Sequence, residues 1–282
     1  MSNLGDPGTF STKIVRSIGT GGLGTVDEVE VTHSYQSYPV GTRLARKRLN
    51  EKFREHPDAR ARFEREIKAV KTLSAHANIV TYKGENLADS AERYYFMPVY
   101  VRSLRDLVNA NPKGFGWVDV ARFGVTMADA MQRAHSRGFK HRDLKPENIL
   151  QDNLNNPVIA DWGLGYFIHK ESKVLLTKAG MGTEYYCSFE QWATGKCDFN
   201  GDVYSLGMVL AELTTGQRHT IRAGQGIQVD VVANSSYGAQ HFNLIINQMT
   251  RPKPEERWQN MSGVSQALAN AASWAEIRAA GI

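Results

Sequence analysis

The stretch HRDLKPENIL, residues 141–150, holds the densest cluster of side chains that could do chemistry. It places a carboxylate, an ammonium group and a carboxamide close together along the chain, at Asp143, Lys145 and Asn148. A carboxylate accepts a proton from a hydroxyl group, a lysine neutralises a phosphate, and an amide oxygen binds a hard cation such as Mg²⁺. Because Pro146 interrupts any regular helix here, we expect these groups on a loop.

A second carboxylate, Asp161, follows a short apolar run in VIADWGLG, residues 158–165. The segments NIL and VIAD are strand-like, and the turn-rich QDNLNNP between them predicts a two-stranded hairpin. Since Asn148 begins the first strand and Asp161 ends the second, the hairpin brings both side-chain oxygens to the same end. Two oxygen ligands there suit a Mg²⁺ ion that carries nucleotide phosphates.

A lysine on a predicted strand is a further candidate. In RLARKRL, strand alternation puts Lys47 on one face, which we expect to be covered, and the flanking arginines on the other. A covered lysine needs an anionic partner. The predicted helix over 58–74 offers Glu66, which falls on its apolar stripe. The alternative is that Glu66 pairs with Arg62 at the surface of this charged helix.

The stretch IGTGGLGTV supplies Gly19, Gly21 and Gly24 between two predicted strands. Glycines let the backbone approach a phosphate closely and expose amide groups to it. The same spacing opens Rossmann dinucleotide-binding units, but there it joins a strand to a helix, whereas here it joins two strands. A plain glycine-rich hairpin is the alternative interpretation.

Two segments of different character position these residues. Up to about residue 100 the pattern is mostly that of strands, and beyond about residue 103 it is mostly helical. The predicted strands are 10–18, 24–32, 42–49, 79–84 and 93–100. The predicted helices are 58–74, 103–110, 118–137, 200–215, 240–250 and 260–278. The pattern predicts an α+β protein with a small β-rich lobe, residues 10–100, and a larger helical lobe, residues 101–278.

The composition argues against several classes of protein. The 282 residues are 41% hydrophobic and 22% charged, which is typical of a globular protein. No apolar run approaches the ~18 residues of a membrane helix, and the N-terminus lacks a signal-peptide pattern. The net charge of +5 comes from mixed charges, which argues against nucleic-acid binding. Two cysteines, Cys187 and Cys197, favour a reducing, cytoplasmic compartment.

Taken in order, these motifs resemble the eukaryotic-type (Hanks-type) protein kinases over roughly residues 10–270. After the glycines come Ala45-x-Lys47 and Glu66, then HRDLKPEN at 141–148, Asp161-Trp162-Gly163, Gly182-Thr183, Ser188-Phe189-Glu190, DVYSLG at 202–207 and PEERW at 254–258. The resemblance implies a bilobal kinase fold. The spacing Lys145-x-x-Asn148 resembles the serine/threonine class, and GTEYYCSFEQ resembles bacterial or phage members.

The resemblance implies catalytic roles for four of the residues above. Asp143 would accept the proton of the substrate hydroxyl, and Lys145 would steady the γ-phosphate of ATP. Lys47 would hold the α- and β-phosphates while it is paired with Glu66. The implied partners are therefore ATP and a protein with a serine or threonine hydroxyl. Neither a nucleic acid nor a membrane is expected as a partner.

The resemblance also implies the remaining ligand contacts. Asn148 and Asp161 would hold Mg²⁺, with Mn²⁺ as the alternative cation, and Gly19, Gly21 and Gly24 would fold over the ATP phosphates. The adenine contacts would come from Val26, Ala45, Met97, Pro98, Tyr100 and Leu150.

Further consequences concern support and regulation. Glu190 would pair with Arg257, and Asp202 would brace the loop that carries Arg142. Trp162 stands where the family usually has phenylalanine, and its larger ring, with an N–H that needs a partner if buried, is expected to favour one conformational state.

The segment between Gly163 and Glu190, which the resemblance identifies as the activation segment, offers Ser172, Thr177 and Thr183 as phosphorylation sites. Thr177 lies five residues before Gly182, where bacterial relatives often autophosphorylate. In the family, the arginine at the position of Arg142 often binds such a phosphate. We expect Thr177 to be the activating site, and an ordinary exposed threonine is the alternative.

Two other functions compete with an active serine/threonine protein kinase. A pseudokinase or ATP-binding scaffold usually lacks the lysine, the base or a metal ligand, and here Lys47, Asp143, Asn148 and Asp161 are all present. A small-molecule kinase of the aminoglycoside type usually lacks the Lys145 spacing and the segment from Gly182 to Glu190.

Overall fold

The computed structural model describes residues 10–21, 24–34, 38–86, 93–162, 185–195, 197–219, 231–233 and 236–279. The chain divides into two compact units, each with its own core. The first unit comprises Met1–Val101 and Trp162–Leu164, and the second comprises Arg102–Asp161 and Gly165–Ile282.

The first unit is built on an antiparallel sheet of five strands in the order β1-β2-β3-β5-β4. The strands are β1 Phe10–Thr20, β2 Gly24–Ser34, β3 Arg43–Leu49, β4 Gly84–Glu85 and β5 Tyr94–Met97. The register places Val26 and Tyr95 on either side of Lys47, and Ala45 opposite Met97. A cluster of buried apolar side chains packs on one part of this sheet: Phe10, Val29, Val31, Leu44 and Phe96.

Helix α1, Pro57–Leu73, follows a short 3₁₀ helix, Glu51–Phe53. Pro57 stands at its start, where a missing N–H costs no helical hydrogen bond. Its apolar stripe is buried, and the ring of Phe63 lies 6.0 Å from that of Tyr95 on β5. The stripe therefore turns toward the central strands of the sheet, and any polar residue on it is carried into the interior.

The strand predicted over 79–84 is wrong, because this run pairs with the sheet only at β4. Ile79 and Val80 are fully buried, so the apolar residues that suggested a strand mark a buried segment and not a strand. The N–H of Tyr82 donates to Ser74 Oγ at 2.8 Å, and that of Thr81 donates to the hydroxyl of Tyr100 at 3.3 Å. Since side chains satisfy these backbone groups, the segment needs no neighbouring strand.

The second unit is mostly helical. Its described helices are α2 Leu104–Ala110, α3 Trp117–His135, α4 Phe189–Thr194, α5 Phe199–Thr215, α6 Tyr237–Met249 and α7 Met261–Ala279. Helix α5 is buried without a break from Gly201 to Leu213, which makes it the central helix of this unit. A Cβ on Gly124 of α3 would lie 2.7 Å from Leu268 and 3.0 Å from Leu210, so a glycine is needed where α3 meets α7 and α5.

A small antiparallel sheet also belongs to the second unit. Its strands are β6 Arg102–Ser103, β7 Ile149–Gln151 and β8 Pro157–Ile159, in the order β6-β7-β8. The predicted two-stranded hairpin is therefore present, with β6 as a third strand that the sequence pattern did not reveal. Ser103 also caps α2, since its side chain accepts from the N–H of Asp106 and the Asp106 carboxylate accepts from the N–H of Ser103.

These elements confirm the α+β class expected from the sequence, with a sheet-rich first unit that has one long helix and a largely helical second unit. Among the described residues, none of the helices combines the length and the apolar character needed to cross a membrane.

Candidate active site

The buried lysine of the first unit has the partner that its position demands. Lys47 Nζ lies 2.6 Å from Glu66 Oε1, and the two residues are only 2% and 0% exposed. The pair forms because strand β3 turns Lys47 to the covered face while the stripe of α1 carries Glu66 toward it. Glu66 therefore does not lie at the surface of this helix, as the alternative interpretation required.

A tyrosine adds a second hydrogen bond to the same carboxylate. The hydroxyl of Tyr95 donates to Glu66 Oε1 at 2.9 Å, and its ring is 1% exposed. Because Tyr95 stands opposite Lys47 in the β3–β5 register, both donors reach the carboxylate from the sheet. The sequence reasoning missed Tyr95, since neither its type nor its spacing marks it as a polar contact.

The described residues of the glycine-rich stretch lie at the adjoining ends of β1 and β2, which we call the glycine hairpin. Gly19 pairs with Val26 across this hairpin, and the N–H of Gly21 donates to the carbonyl of Gly24 at 2.8 Å. A Cβ on Gly24 would lie 3.2 Å from Lys47 Cε, and equally close to a carbonyl of β3. The stem of Lys47 therefore passes against this hairpin, and a glycine at position 24 gives it room.

The three polar groups of the 141–148 segment, which we call the catalytic loop after its expected role, are in mutual contact within the second unit. Lys145 Nζ donates to Asp143 Oδ2 at 2.8 Å, and Asn148 Nδ2 donates to the same oxygen at 3.1 Å. Asn148 Nδ2 also donates to the backbone carbonyl of Asp143 at 2.8 Å. Pro146 begins a single 3₁₀ turn, Pro146–Asn148, which folds the asparagine back onto the aspartate. The expectation that these residues lie together on a loop is met.

The carboxylates around Lys145 control its charge. Burial by itself would lower the pKa of Lys145, but the neighbouring carboxylates of Asp143, Glu147 and Asp161 outweigh burial, so its pKa is raised. Lys145 is therefore cationic at neutral pH. A half-buried cation beside a buried carboxylate can neutralise charge that develops on a phosphoryl group.

Asp161 lies just beyond β8, at the same end of the hairpin as Asn148. The N–H of Ala160 donates to the carbonyl of Asn148 at 2.9 Å, which ties the two segments together beside both residues. The backbone of Asp161 has φ +63°, in the left-handed region that aspartate tolerates better than most residues. Both bonds from Asn148 to Asp143 use its amide nitrogen, so its oxygen and the Asp161 carboxylate form a set of hard oxygen donors that fits Mg²⁺.

A fully buried aspartate of α5 holds the loop that precedes Asp143. Asp202 Oδ1 accepts from the N–H of Arg142 at 2.8 Å, and Oδ2 accepts from the N–H of His141 at 2.9 Å. His135 Nε2 donates to Oδ2 at 2.9 Å. Arg142 has φ +65°, a conformation that costs free energy for a residue with a Cβ, and the carboxylate compensates for it. The expected brace is present, and His135 is a member that the sequence reasoning missed.

The pair expected between Glu190 and Arg257 is also present. Arg257 binds the carboxylate in bidentate fashion, Nη1 to Oε1 at 2.7 Å and Nη2 to Oε2 at 2.9 Å. Burial raises the pKa of Glu190, but the Arg257 guanidinium more than offsets this, so the pKa is lowered overall. Arg257 is 2% exposed and also donates to backbone carbonyls, so the pair fixes the start of α4.

A second charged cluster was not foreseen. Arg105 of α2 donates to Glu147 Oε1 at 2.8 Å and to Glu212 Oε1 at 2.7 Å. Tyr186 donates to Glu212, and the exposed edge of the cluster carries Arg218, 3.5 Å from Glu147. Because Glu147 lies between Lys145 and Asn148 in sequence, this cluster links the catalytic loop to α2 and α5.

The residues expected to bind adenine divide between the units. Val26, Ala45, Met97, Pro98 and Tyr100 belong to the first unit, and Leu150, on β7, belongs to the second. The side chains of Ala45 and Met97 are buried, at 2% and 4% exposure. Their role in binding adenine stays a prediction.

The expectations for Thr177 and Trp162 stay untested. Thr177, together with Ser172, Gly182 and Thr183, lies outside the described residues. Trp162 is described and is 1% exposed. Its influence on conformational state stays a prediction.

Comparisons with known proteins show the family of this chain. The family model described as "Protein kinase domain" matches residues 12–271. The "Probable serine/threonine-protein kinase PknB" of Lactococcus lactis is 30% identical over 259 residues, 92% of this chain and 37% of that protein. The "Serine/threonine-protein kinase PrkC" of Bacillus subtilis is 29% identical over 211 residues, 73% of this chain and 30% of that protein.

Solved structures show the same fold. The PknI kinase domain of Mycobacterium tuberculosis superposes with a TM-score of 0.69 at 21% identity, covering 94% of this chain and 97% of that chain. The chain spans 37% and 30% of the length of the two curated relatives named above.

Proposed function

Because the chain belongs to the protein kinase domain family, we propose that it transfers the γ-phosphate of ATP to serine or threonine hydroxyls of proteins. The observation that carries the proposal is the catalytic loop, where Asp143 Oδ2 is held by Lys145 at 2.8 Å and by Asn148 at 3.1 Å. This arrangement supplies a proton acceptor, a cation and an oxygen ligand in one cluster.

The proposed reaction is an in-line displacement. The substrate hydroxyl oxygen forms a bond to the γ-phosphorus of ATP, the bond from that phosphorus to the β–γ bridging oxygen breaks, and ADP leaves. Asp143 receives the hydroxyl proton on its carboxylate. Lys145, which is cationic at neutral pH, stabilises the negative charge on the transferred phosphoryl oxygens.

The donor set of the second unit fits a Mg²⁺ ion. Asn148 and Asp161 would hold it through an amide oxygen and a carboxylate, and Mn²⁺ has the same preference for such ligands. When bound, the ion neutralises charge on the nucleotide phosphates.

The first unit supplies the proposed contacts to the nucleotide. Lys47 would hold the α- and β-phosphates, and its ion pair with Glu66 at 2.6 Å fixes the position of its ammonium group. The hairpin glycines Gly19, Gly21 and Gly24 would present backbone amides to the phosphates.

The proposed activity is tested with radiolabelled ATP, Mg²⁺ and a mixture of candidate proteins. We expect label on serine and threonine from the wild-type chain, and a loss of label in Lys47→Ala when circular dichroism shows that the variant remains folded. Label on tyrosine, or on an added aminoglycoside alone, would refute the proposed substrate class. ATP binding without any Lys47-dependent label would instead identify an ATP-binding scaffold.

We further propose activation by autophosphorylation at Thr177. Among the described residues, the buried Nε of Arg142, next to the proposed base, has no hydrogen-bond partner, and a phosphate is a suitable acceptor for it. Thr177→Ala should therefore lower activity, by about 5- to 150-fold for a coupling of typical size. Mass spectrometry after incubation with ATP and Mg²⁺ should find phosphate on Thr177, and Ser172→Ala serves as the control. An active enzyme without phosphate on Thr177 would exclude this site.

We place this activity in the cytoplasm. Cytosolic proteins keep their thiols reduced, and both cysteines, Cys187 and Cys197, are free thiols.

Burial raises the pKa of each thiol, so neither is suited to act as a nucleophile.

A further inference from the structure

The glycine hairpin of the first unit is held by a side chain that none of the family motifs includes. Asn50 follows β3 directly and is 9% exposed. Its Nδ2 donates to the carbonyl of Gly21 at 3.1 Å, and its Oδ1 accepts from Thr25 Oγ at 2.5 Å. One carboxamide thus contacts both arms of the hairpin. On β2 it meets Thr25, which belongs to the last strand pair, and on the β1 side it meets Gly21, one residue beyond that pair.

The shape of the hairpin explains why this contact matters. Thr20 and Thr25 form the last pair of β1 and β2, and beyond them the N–H of Gly21 bonds to the carbonyl of Gly24. Glycine has the largest backbone entropy to lose, so a glycine-rich turn is held in one conformation only if other groups fix it. Asn50 supplies two hydrogen bonds at this turn.

Packing gives little support on the side of the turn where Asn50 lies. A cavity of about 660 Å³ opens there, lined by Thr20, Gly21, Thr25, Arg48, Asn50, Glu51 and Lys52. Neighbouring side chains do not fill this space, so atoms that border it lack van der Waals partners there. Among the described residues, the hydrogen bonds of Asn50 to Gly21 and Thr25 tie both strand ends together on this side.

We infer that Asn50 is a positioning residue that holds the glycine hairpin in the conformation that receives the ATP phosphates; this rests on the proposed function. Asn50 acts through the backbone of Gly21 and through Thr25, and needs no contact with the nucleotide itself. Without Asn50 the hairpin samples other conformations. Binding of the phosphates must then restrict it to one of them, and the conformational entropy lost lowers the affinity for the nucleotide. The effect should accordingly depend on the phosphates and not on the adenine base.

The test compares Asn50→Leu, which has similar volume but no donor or acceptor, with the wild-type chain. Hydrogen exchange without nucleotide should become faster across residues 20–26, while exchange in β5 stays unchanged. The Kd for Mg·ATP should rise about 2- to 13-fold, as expected for a net hydrogen bond of ordinary strength, and the Kd for adenosine should change less than about twofold.

Two variants of Thr25 separate the bonds made by Asn50. Thr25→Val removes the hydroxyl donor but leaves the bond to Gly21, so its effect on both measurements should be smaller than that of Asn50→Leu. Thr25→Ser keeps the hydroxyl and should match the wild-type chain.

Three results would overturn the inference: unchanged exchange over residues 20–26, equal acceleration in β5, or equal loss of affinity for ATP and adenosine. The last two would show a merely structural role for Asn50. A wild-type chain that binds no ATP would refute the proposed function separately, and the exchange comparison, which needs no nucleotide, would still decide whether Asn50 restrains the hairpin.

Discussion

Asp143→Asn is expected to lower kcat by about 10²- to 10⁴-fold while the Kd for ATP changes little, because the variant loses the proposed proton acceptor. Asparagine has the shape of aspartate, and its amide oxygen can still accept from Lys145 and Asn148, which now bond to Asp143 Oδ2 at 2.8 and 3.1 Å. The loop should therefore keep its conformation. What the variant lacks is a group that can take the hydroxyl proton.

The measurement is steady-state kinetics on a protein substrate together with a separate titration of ATP binding. Asp129→Asn, on the exposed face of α3, is the matched control and should retain activity within about twofold, as for a surface substitution within about 0.5 kcal/mol. If Asp143→Asn kept activity within tenfold of the wild-type chain, Asp143 would not be the base. If it lost ATP binding as well, the substitution would have disturbed the loop and not only the proton transfer.

Much of the local arrangement could be predicted because it follows from short-range periodicity. Strand alternation assigns Lys47 to the covered face, and helical spacing puts Glu66 on the buried stripe, so the 2.6 Å pair follows from two local patterns. The catalytic loop is similar, since Asp143, Lys145 and Asn148 lie so close in sequence that one turn brings them together.

What the pattern did not predict depends on partners distant in sequence. The segment predicted as a strand over 79–84 is satisfied by the side chains of Ser74 and Tyr100, which no local pattern connects with it. Strand β6 has two residues, too few for alternation to be detected. Tyr95 and Asn50 are ordinary residues for their elements, and only the fold shows which oxygen or nitrogen each one meets.

Asp202→Asn tests whether the geometry of the catalytic loop and the stability of the fold both depend on this one buried carboxylate. Asp202 is 0% exposed and accepts from two backbone N–H groups and from His135. Asparagine leaves no cavity but replaces one acceptor oxygen with a donor, so at least one buried N–H loses its partner. We expect the free energy of unfolding to fall by about 3–5 kcal/mol, the cost of breaking a buried charged contact.

The pH dependence of this loss has a definite sign. Burial raises the pKa of Asp202, but its hydrogen bonds to His135 and Arg142 outweigh burial, so the pKa is lowered from 3.8. A lowered pKa means that the carboxylate contributes its full stability above the unfolded value and loses it as the pH falls through the folded value. The difference between wild type and variant should therefore be constant at neutral pH and should shrink only below about pH 3.8.

Urea denaturation at several pH values measures this difference, and Asp119→Asn, at an exposed carboxylate of α3, is the control, expected within about 0.5 kcal/mol of wild type. Activity should fall together with stability, because Arg142 keeps its left-handed backbone, φ +65°, only while its N–H is held. Once released, the residue before Asp143 relaxes and the proposed base moves with it. A variant as stable as wild type, or one that lost stability but kept full kcat, would show that Asp202 does not set the catalytic loop.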